Sequence, residues 1–359
     1  MSVLDSFVAV DRILDRADLP LIDVRSPSEF ARGHIPGATS VPLFVDEERA
    51  EIGTLYKQVG REPAVARGLE IATAKANQLV RRIQEVAQQA EFLIHCWRGG
   101  MRSRGVAWLC ADCGMRPAVL EGGYKSFRRA AHQSFQQPQQ VILLAGQTGA
   151  GKTRLLHRLR EAGQQVIDLE ALACHRGSVF GGIDQHPQPT VEQFENQLFM
   201  DWRQLDPAKP VWIEGESQAI GKVNIPRPVW QQMSQALMIF VEVDREQRLD
   251  FLLQDYGELP ASDLSAAMQR LKKRLGGARL KAALDAIDQN DRRTFASIAL
   301  DYYDKTYLKA LKKRSPETVI KLPLAAAGDR AAIETFITIA DQQTKKHSRT
   351  LDGPRCLIN

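Results

Sequence analysis

No stretch of this sequence approaches the roughly twenty uninterrupted apolar residues that a membrane-spanning helix requires, so a membrane protein is not expected. Cysteine is sparse and odd in number: Cys96, Cys110, Cys113, Cys174 and Cys356 are scattered along 359 residues. That pattern argues against a disulfide framework and for thiols in a reducing compartment. The opening MSVLDSFVAVDRILDR has acids where a secretory leader has a basic region before an apolar core, so the expected location is the cytoplasm. Nor does one sign of charge dominate. A formal net charge of +5 is too small to demand a polyanionic partner. No internal repeat is present.

The length suggests two or three domains, each able to bury its own core. The Gln-rich, proline-broken QSFQQPQQ (133–140) is the clearest seam, giving domains at 1–135 and 136–359. Before it, LPLIDV, FLIHC and AVL read as buried parallel strands, and QLVRRIQEVAQQ and RGVAWLCADCG as helices. After it, VILLAG, QVIDL, VWIE, ALMIFVEV and TVIKL are strand-like with helices between. Both halves are therefore expected to be α/β.

Residues 95–103 read HCWRGGMRS. An apolar strand delivers Cys96 into a loop of Trp97, Arg98, Gly99, Gly100, Met101 and Arg102, and a helix follows. Backbone N–H groups of such a loop, with the helix N-terminus, form an anion nest that favours a reactive thiolate. Arg98 and Arg102 add charged donors, Arg102 being placed to close the loop as a fork. The pattern points to a nucleophilic cysteine beside a phosphate-like ligand.

A second, unrelated phosphate loop follows. GQTGAGKT comprises Gly146, Gln147, Thr148, Gly149, Ala150, Gly151, Lys152 and Thr153, after a strand and before the helix TRLLHRLREAG that Gly163 can cap. Its N–H groups suit a diphosphate, Lys152 reaches the outer oxygens, and the Thr153 hydroxyl is placed to hold Mg2+. Glu214 and Glu216 in PVWIEGES, Asp168 and Glu170 after QVI, and His175, Arg176 and Ser178 in the glycine-rich HRGSVFGG are candidates for the same cleft. An adenine-reading signature is missing, so the loop argues for a diphosphate binder rather than an ATPase. Cys110 and Cys113 form a CxxC on a helix with no second ligand pair, which reads as a packed apolar face. Six basic residues without an acid (Arg270, Lys272, Lys273, Arg274, Arg279 and Lys281) and KALKKR at 309–314 read plainly as solvated helix faces, with nucleic acid as the sharper option.

LIDVRSPSEFARGHIPGATSVPL (21–43) and VLEGGYKSF (119–127), with Cys96 between them, resemble the rhodanese-like domains. In that family Asp23, Arg25, Glu29 and His34 to Ala38 hold the scaffold, and the loop cysteine carries a chalcogen. The usual loop is one residue shorter; the spacing from Cys96 to Arg102 matches the related cysteine phosphatases and suits a phosphate-sized ligand. The insertion at 46–70 receives no assignment. HCWRGGMRS, GQTGAGKT, HRGSVFGG and IEGES, in that order, resemble the bacterial tRNA 2-selenouridine synthase family over nearly the whole chain.

That resemblance implies replacement of sulfur by selenium in wobble 2-thiouridine of tRNAs for Lys, Glu and Gln. Selenophosphate is the donor, and an S-geranyl intermediate is made from geranyl diphosphate. It further implies that Cys96 holds selenium as an S-selanylcysteine with release of phosphate, and that the P-loop holds geranyl diphosphate. The basic clusters become candidates for tRNA contacts. No tightly bound cofactor is expected, Mg2+ aside, and a monomer is expected. Two rivals share the motifs: a cysteine phosphatase, or a thiosulfate-type sulfurtransferase, fused to an ATP-binding regulatory domain.

Overall fold

The computed structural model describes residues 7–351 except 17, 257, 258 and 313; Cys356 and Lys313 lie outside the described residues. The chain divides into two compact units, Met1–Ser134 with Glu195–Met200, and Phe135–Phe194 with Asp201–Asn359. The Gln-rich seam lies at the first division, but the Glu195–Met200 segment gave no sequence signal for grouping with the first unit. Its reason is polar: buried Asn196 accepts from Arg128 and donates to the His34 carbonyl and to the Tyr124 hydroxyl at 2.8 Å.

The first unit is built on a five-stranded parallel sheet. Its order is Phe7–Val8, Arg116–Leu120, Glu91–His95, Leu21–Asp23, Ala38–Ser40. Strands covered on both faces must be apolar throughout, which is why FLIH and LID carry no polar alternation. Ile22 pairs with Ile94 and Asp23 with His95, so the loop after His95 leaves the carboxyl edge at the centre of the sheet. Helix Arg61–Ala87 buries Ile71, Leu79, Ile83 and Ala87 along one stripe. Ile83 packs in one core with Phe92, Ile94 and Val106.

The second unit has its own five-stranded parallel sheet, ordered Val319–Pro323, Leu237–Glu242, Gln140–Gly146, Pro210–Glu214, Gln165–Ile167. The strand order reverses around Gln140–Gly146, and the crevice at such a switch point is where α/β sheets bind ligands. Helix Lys152–Glu161 ends with Gly163 at φ +79, its N–H on the Arg160 carbonyl and that of Gln164 on Leu159, the glycine stop expected from the sequence. Helices between Arg245 and Leu311 pack a separate core around Leu264, Met268, Leu280 and Leu300. The hairpin Ala219–Ile220 with Val223–Asn224 was not anticipated, because strands of two residues are too short to show a period.

Candidate functional site

Cys96 follows strand Glu91–His95 and begins the loop that runs into helix Met101–Asp112. Its shape depends on the later segment EGGY. Tyr124 and Lys125 donate their N–H groups to the carbonyls of Cys96 and Trp97, both at 2.9 Å. A Cβ on Gly123 would lie 2.3 Å from the Cys96 oxygen and 2.4 Å from the Gly99 nitrogen, so only glycine permits that approach. Gly99 accordingly packs against Leu120–Gly123, while Trp97, Arg98, Gly100, Met101 and Arg102 face a cavity of about 620 Å3 together with Cys96.

The thiol is only 3% exposed, and part of it packs on the apolar core; it nevertheless forms part of the cavity floor. Sγ lies 3.2 Å from the Ser103 hydroxyl. Arg102 donates to Glu29 at 2.7 Å, so its guanidinium is anchored from behind. Burial alone would lower the Arg102 pKa, but Glu29 outweighs it and the group stays above its ordinary value. Glu29 is held below its ordinary value by the same pair, against the opposing effect of its burial.

Beneath the loop, Arg25 chelates Asp23 and donates to the Gly33 carbonyl, and its guanidinium stacks 3.8 Å from the Tyr124 ring centroid. His95 is fully buried and held neutral by desolvation. These residues brace the strand end and do not line the cavity, as the rhodanese resemblance implied for Asp23 and Arg25.

The unassigned insertion supplies the opposite wall. Its first helix, Asp46–Gln58, lines the cavity with Arg49, Ile52, Gly53, Tyr56 and Lys57. Tyr56 (60% exposed), Trp97 (36%) and Met101 (57%) form an apolar rim. Trp97 rests against Tyr124, with ring centroids 5.6 Å apart. Four cations and, among the described residues, no carboxylate line this space.

In the second unit, Thr148 to Thr153 line a cavity of about 1130 Å3, whereas Gly146 and Gln147 of the same motif do not line it. Gly151 (φ +74) sits where a Cβ would meet the Gly328 nitrogen at 2.4 Å. Lys152 Nζ donates to the Gly146 carbonyl at 3.1 Å and lies 5.2 Å from the Tyr307 ring. Buried Arg248, which the sequence reading missed, braces the loop: it donates to the Thr148 carbonyl and is chelated by Asp304 at 2.8 Å.

Asp168, Glu170, Glu214 and Glu216 all reach this cavity. Burial raises all three glutamates. Glu170 goes to about 8, pushed further by Glu216, with which it shares a hydrogen bond. Glu214 accepts from the Glu170 N–H, and its other oxygen is buried without a partner. Thr153 Oγ1 stands 3.5 Å from Glu170. Hydroxyl and carboxylate oxygens are the donors Mg2+ prefers. Among the described residues no three acidic, His or Cys groups form a closed metal cage.

Several expectations need correction. Arg176 and Ser178 line the cavity, but His175 does not: it packs beside Gly182 with Nδ1 buried and unbonded. Arg274, though exposed, borders the P-loop cavity and bonds Tyr302, and Arg314 donates to the carbonyls of Met233 and Ala236. Arg270, Lys272, Lys273, Arg279 and Lys281 are exposed, Lys281 pairing with Asp285. Of the CxxC pair, Cys110 packs in the core with its thiol pushed up to about 12, chiefly by burial, whereas Cys113 is exposed at the helix end.

A cysteine at the centre of a parallel sheet's carboxyl edge, in a chain that continues into a P-loop α/β unit, defines a rhodanese-like domain fused to a P-loop domain. Residues 7–130 match the rhodanese-like domain family, and residues 139–343 match the tRNA 2-selenouridine synthase AAA domain family. The chain belongs to the tRNA 2-selenouridine synthase family. The tRNA 2-selenouridine synthase of Nitrosomonas europaea is 32% identical, the alignment covering 83% of this chain and 90% of that protein. Its namesakes from Hahella chejuensis and Hydrogenovibrio crunogenus are 34% and 35% identical, covering 90% and 83% of this chain and 92% and 90% of theirs. Among the described residues no helix is long and apolar enough to cross a membrane.

Proposed function

We propose that this protein is a tRNA 2-selenouridine synthase that exchanges the sulfur of wobble 2-thiouridine for selenium in tRNAs for Lys, Glu and Gln. In this reading geranyl diphosphate alkylates the sulfur first and selenophosphate supplies the selenium second. The observation that carries it is the composition of the P-loop cavity. Diphosphate-binding backbone continues into a wall of Trp230, Met233, Met238, Phe240 and Leu271, which suits a prenyl chain better than a nucleoside.

The thione sulfur attacks the allylic carbon, the carbon–oxygen bond breaks, and the N3 proton is lost. The N–H groups of Gly149–Thr153 and the Lys152 ammonium take the charge that develops on the departing diphosphate. Mg2+ bound at Thr153, with Glu170 and Glu216 behind it, would supply further neutralisation. Alkylation turns a poor leaving group into a thioether on an electron-poor ring, which selenium then displaces. The second step belongs to the Cys96 cavity. Its rim of Tyr56 and Trp97, with exposed Lys57 and Arg98, suits an unstacked base and its flanking phosphates.

Mass spectrometry of the wobble nucleoside tests the reading. Geranyl diphosphate alone should give only the S-geranyl product, and selenouridine should require both donors. Selenouridine from selenophosphate alone would remove the intermediate; an unmodified nucleoside under all conditions would remove the function.

A further inference from the structure

Resting on that function, the remaining question is which atom of selenophosphate Cys96 attacks. An S-selanyl adduct with release of phosphate does not balance in electrons. Once phosphate leaves, selenium is at the selenide level, and joining it to a thiolate sulfur requires removal of two electrons. Neither water nor thiouridine accepts them. Direct attack on selenium has the converse defect, because it leaves the electron pair on phosphorus as phosphite.

We propose that Cys96 attacks phosphorus, forming S-phosphocysteine and releasing selenide inside the cavity. The Sγ–P bond forms while the P–Se bond breaks, and the electron pair leaves as hydrogen selenide. Selenide adds to C2 of the S-geranyl pyrimidine, the C2–S bond breaks, and geranylthiolate takes the selenium proton. Water then attacks phosphorus, the S–P bond breaks, and Cys96 returns as thiolate as phosphate departs with the protons of water. No oxidation state changes.

Three features support this course. The loop has five residues between Cys96 and Arg102, and Arg102 is anchored by Glu29 at 2.7 Å, leaving its other N–H groups for phosphoryl oxygens. Ser103, next in sequence, places its hydroxyl 3.2 Å from Sγ, where it can donate to the thiolate as the S–P bond breaks. The cavity is lined by Arg49, Lys57, Arg98 and Arg102 and, among the described residues, by no acid. A phosphate ester has an alkoxide to expel and needs a general acid to protonate it. Hydrogen selenide is a far stronger acid than any alcohol, so its anion leaves without help. The cavity therefore suits a phosphorus–selenium bond and is poorly equipped for an oxygen ester. With no carboxylate or His among the described lining residues to act as a general base, hydrolysis of the S–P bond should be slow and the phosphoenzyme should accumulate.

The test uses the full chain with selenophosphate labelled either in phosphorus or in selenium, without tRNA or geranyl diphosphate. Denaturation at alkaline pH with iodoacetamide preserves a thiophosphate and traps a selanyl sulfur. Peptide mass spectrometry then locates the label. Phosphorus should be found on Cys96, be absent in Cys96→Ser, and persist several-fold longer in Ser103→Ala; selenium should not be found there. Selenium on Cys96 without phosphorus overturns the proposal, as does selenouridine formation in the complete reaction with neither label on Cys96. Because the labelling needs no RNA, phosphorylated Cys96 with tRNA left unmodified would sink the functional reading and leave this one standing.

Discussion

The two anion loops occupy different electrostatic surroundings, one cavity lined by cations without acids among the described residues and the other by both signs. The Cys96 loop faces a cavity with four cations and, among the described residues, no carboxylate, whereas Lys152 shares its cavity with Asp168, Glu170, Glu214 and Glu216. Both loops offer backbone N–H groups, so the difference lies in what surrounds them. A cationic cleft concentrates small dianions and RNA backbone. The acid-rich cavity keeps protons on its buried glutamates, since ionising them there is unfavourable. Protonated glutamates leave the Lys152 charge available to an anionic ligand, and the apolar wall then distinguishes among such ligands.

Damaging one loop at a time gives the largest expected effects. Cys96→Ser should bring selenouridine to background and leave geranylation intact. Lys152→Ala should slow geranylation by about 100- to 1000-fold, yet selenate pre-geranylated tRNA at the normal rate. Nucleoside mass spectrometry reads both. If either variant loses both activities, the division of labour is wrong. Next comes the anchor of the fork. Glu29→Gln should cut selenation about a hundredfold by letting Arg102 drift from its position, and Arg102→Lys should do the same despite keeping its charge. A fully active Arg102→Lys would mean that only charge matters there.

Both loops were legible in the sequence because each lies contiguous after an apolar strand. Their surroundings were not. Ser103 stood beside Arg102 in the motif, but only the helical turn brings its hydroxyl to Sγ. Tyr56 and Lys57 lie forty residues before the thiol they overlook, in an insertion whose weak amphipathicity gave no facing direction. Arg248 and Asp304 come from two distant helices and meet behind Thr148. The run from Arg270 to Lys281 read as one basic face, yet the break at Gly276 splits it between helices, and exposed Arg274 borders the P-loop cavity. Contiguous signals survive in a sequence; those made by chain reversal do not.

The carboxylate side of the comparison can be read through pH. Folded Glu170 keeps its proton to about 8, whereas in the unfolded chain it releases it near the ordinary value of about 4.3. Between those limits the native state binds more protons, so stability falls as pH rises through the window and is unaffected below it. Glu170→Gln should flatten that slope, the gain at high pH being about 2 kcal/mol after allowance for Lys152. Urea unfolding at the two ends of the window measures it. An unchanged slope would place the shared proton elsewhere.

The smallest effects ask which cationic surface RNA uses. Base stacking on an aromatic ring is insensitive to salt, while each neutralised phosphate releases counterions. Trp97→Ala should therefore weaken binding of an anticodon stem–loop about tenfold at every ionic strength and leave the salt slope alone. Lys272→Ala with Lys273→Ala, on the exposed helical face, should cost only a few-fold at moderate salt but lower the slope by about 2, roughly one per phosphate contact. Fluorescence anisotropy across a salt series separates the two. If Trp97→Ala changes the slope instead, its neighbours Lys57 and Arg98 hold the backbone there, and the rim grips phosphate rather than a base. If the lysine pair changes nothing, the helical face is solvated surface, and the Cys96 cavity with its four cations is the RNA-facing side of the comparison.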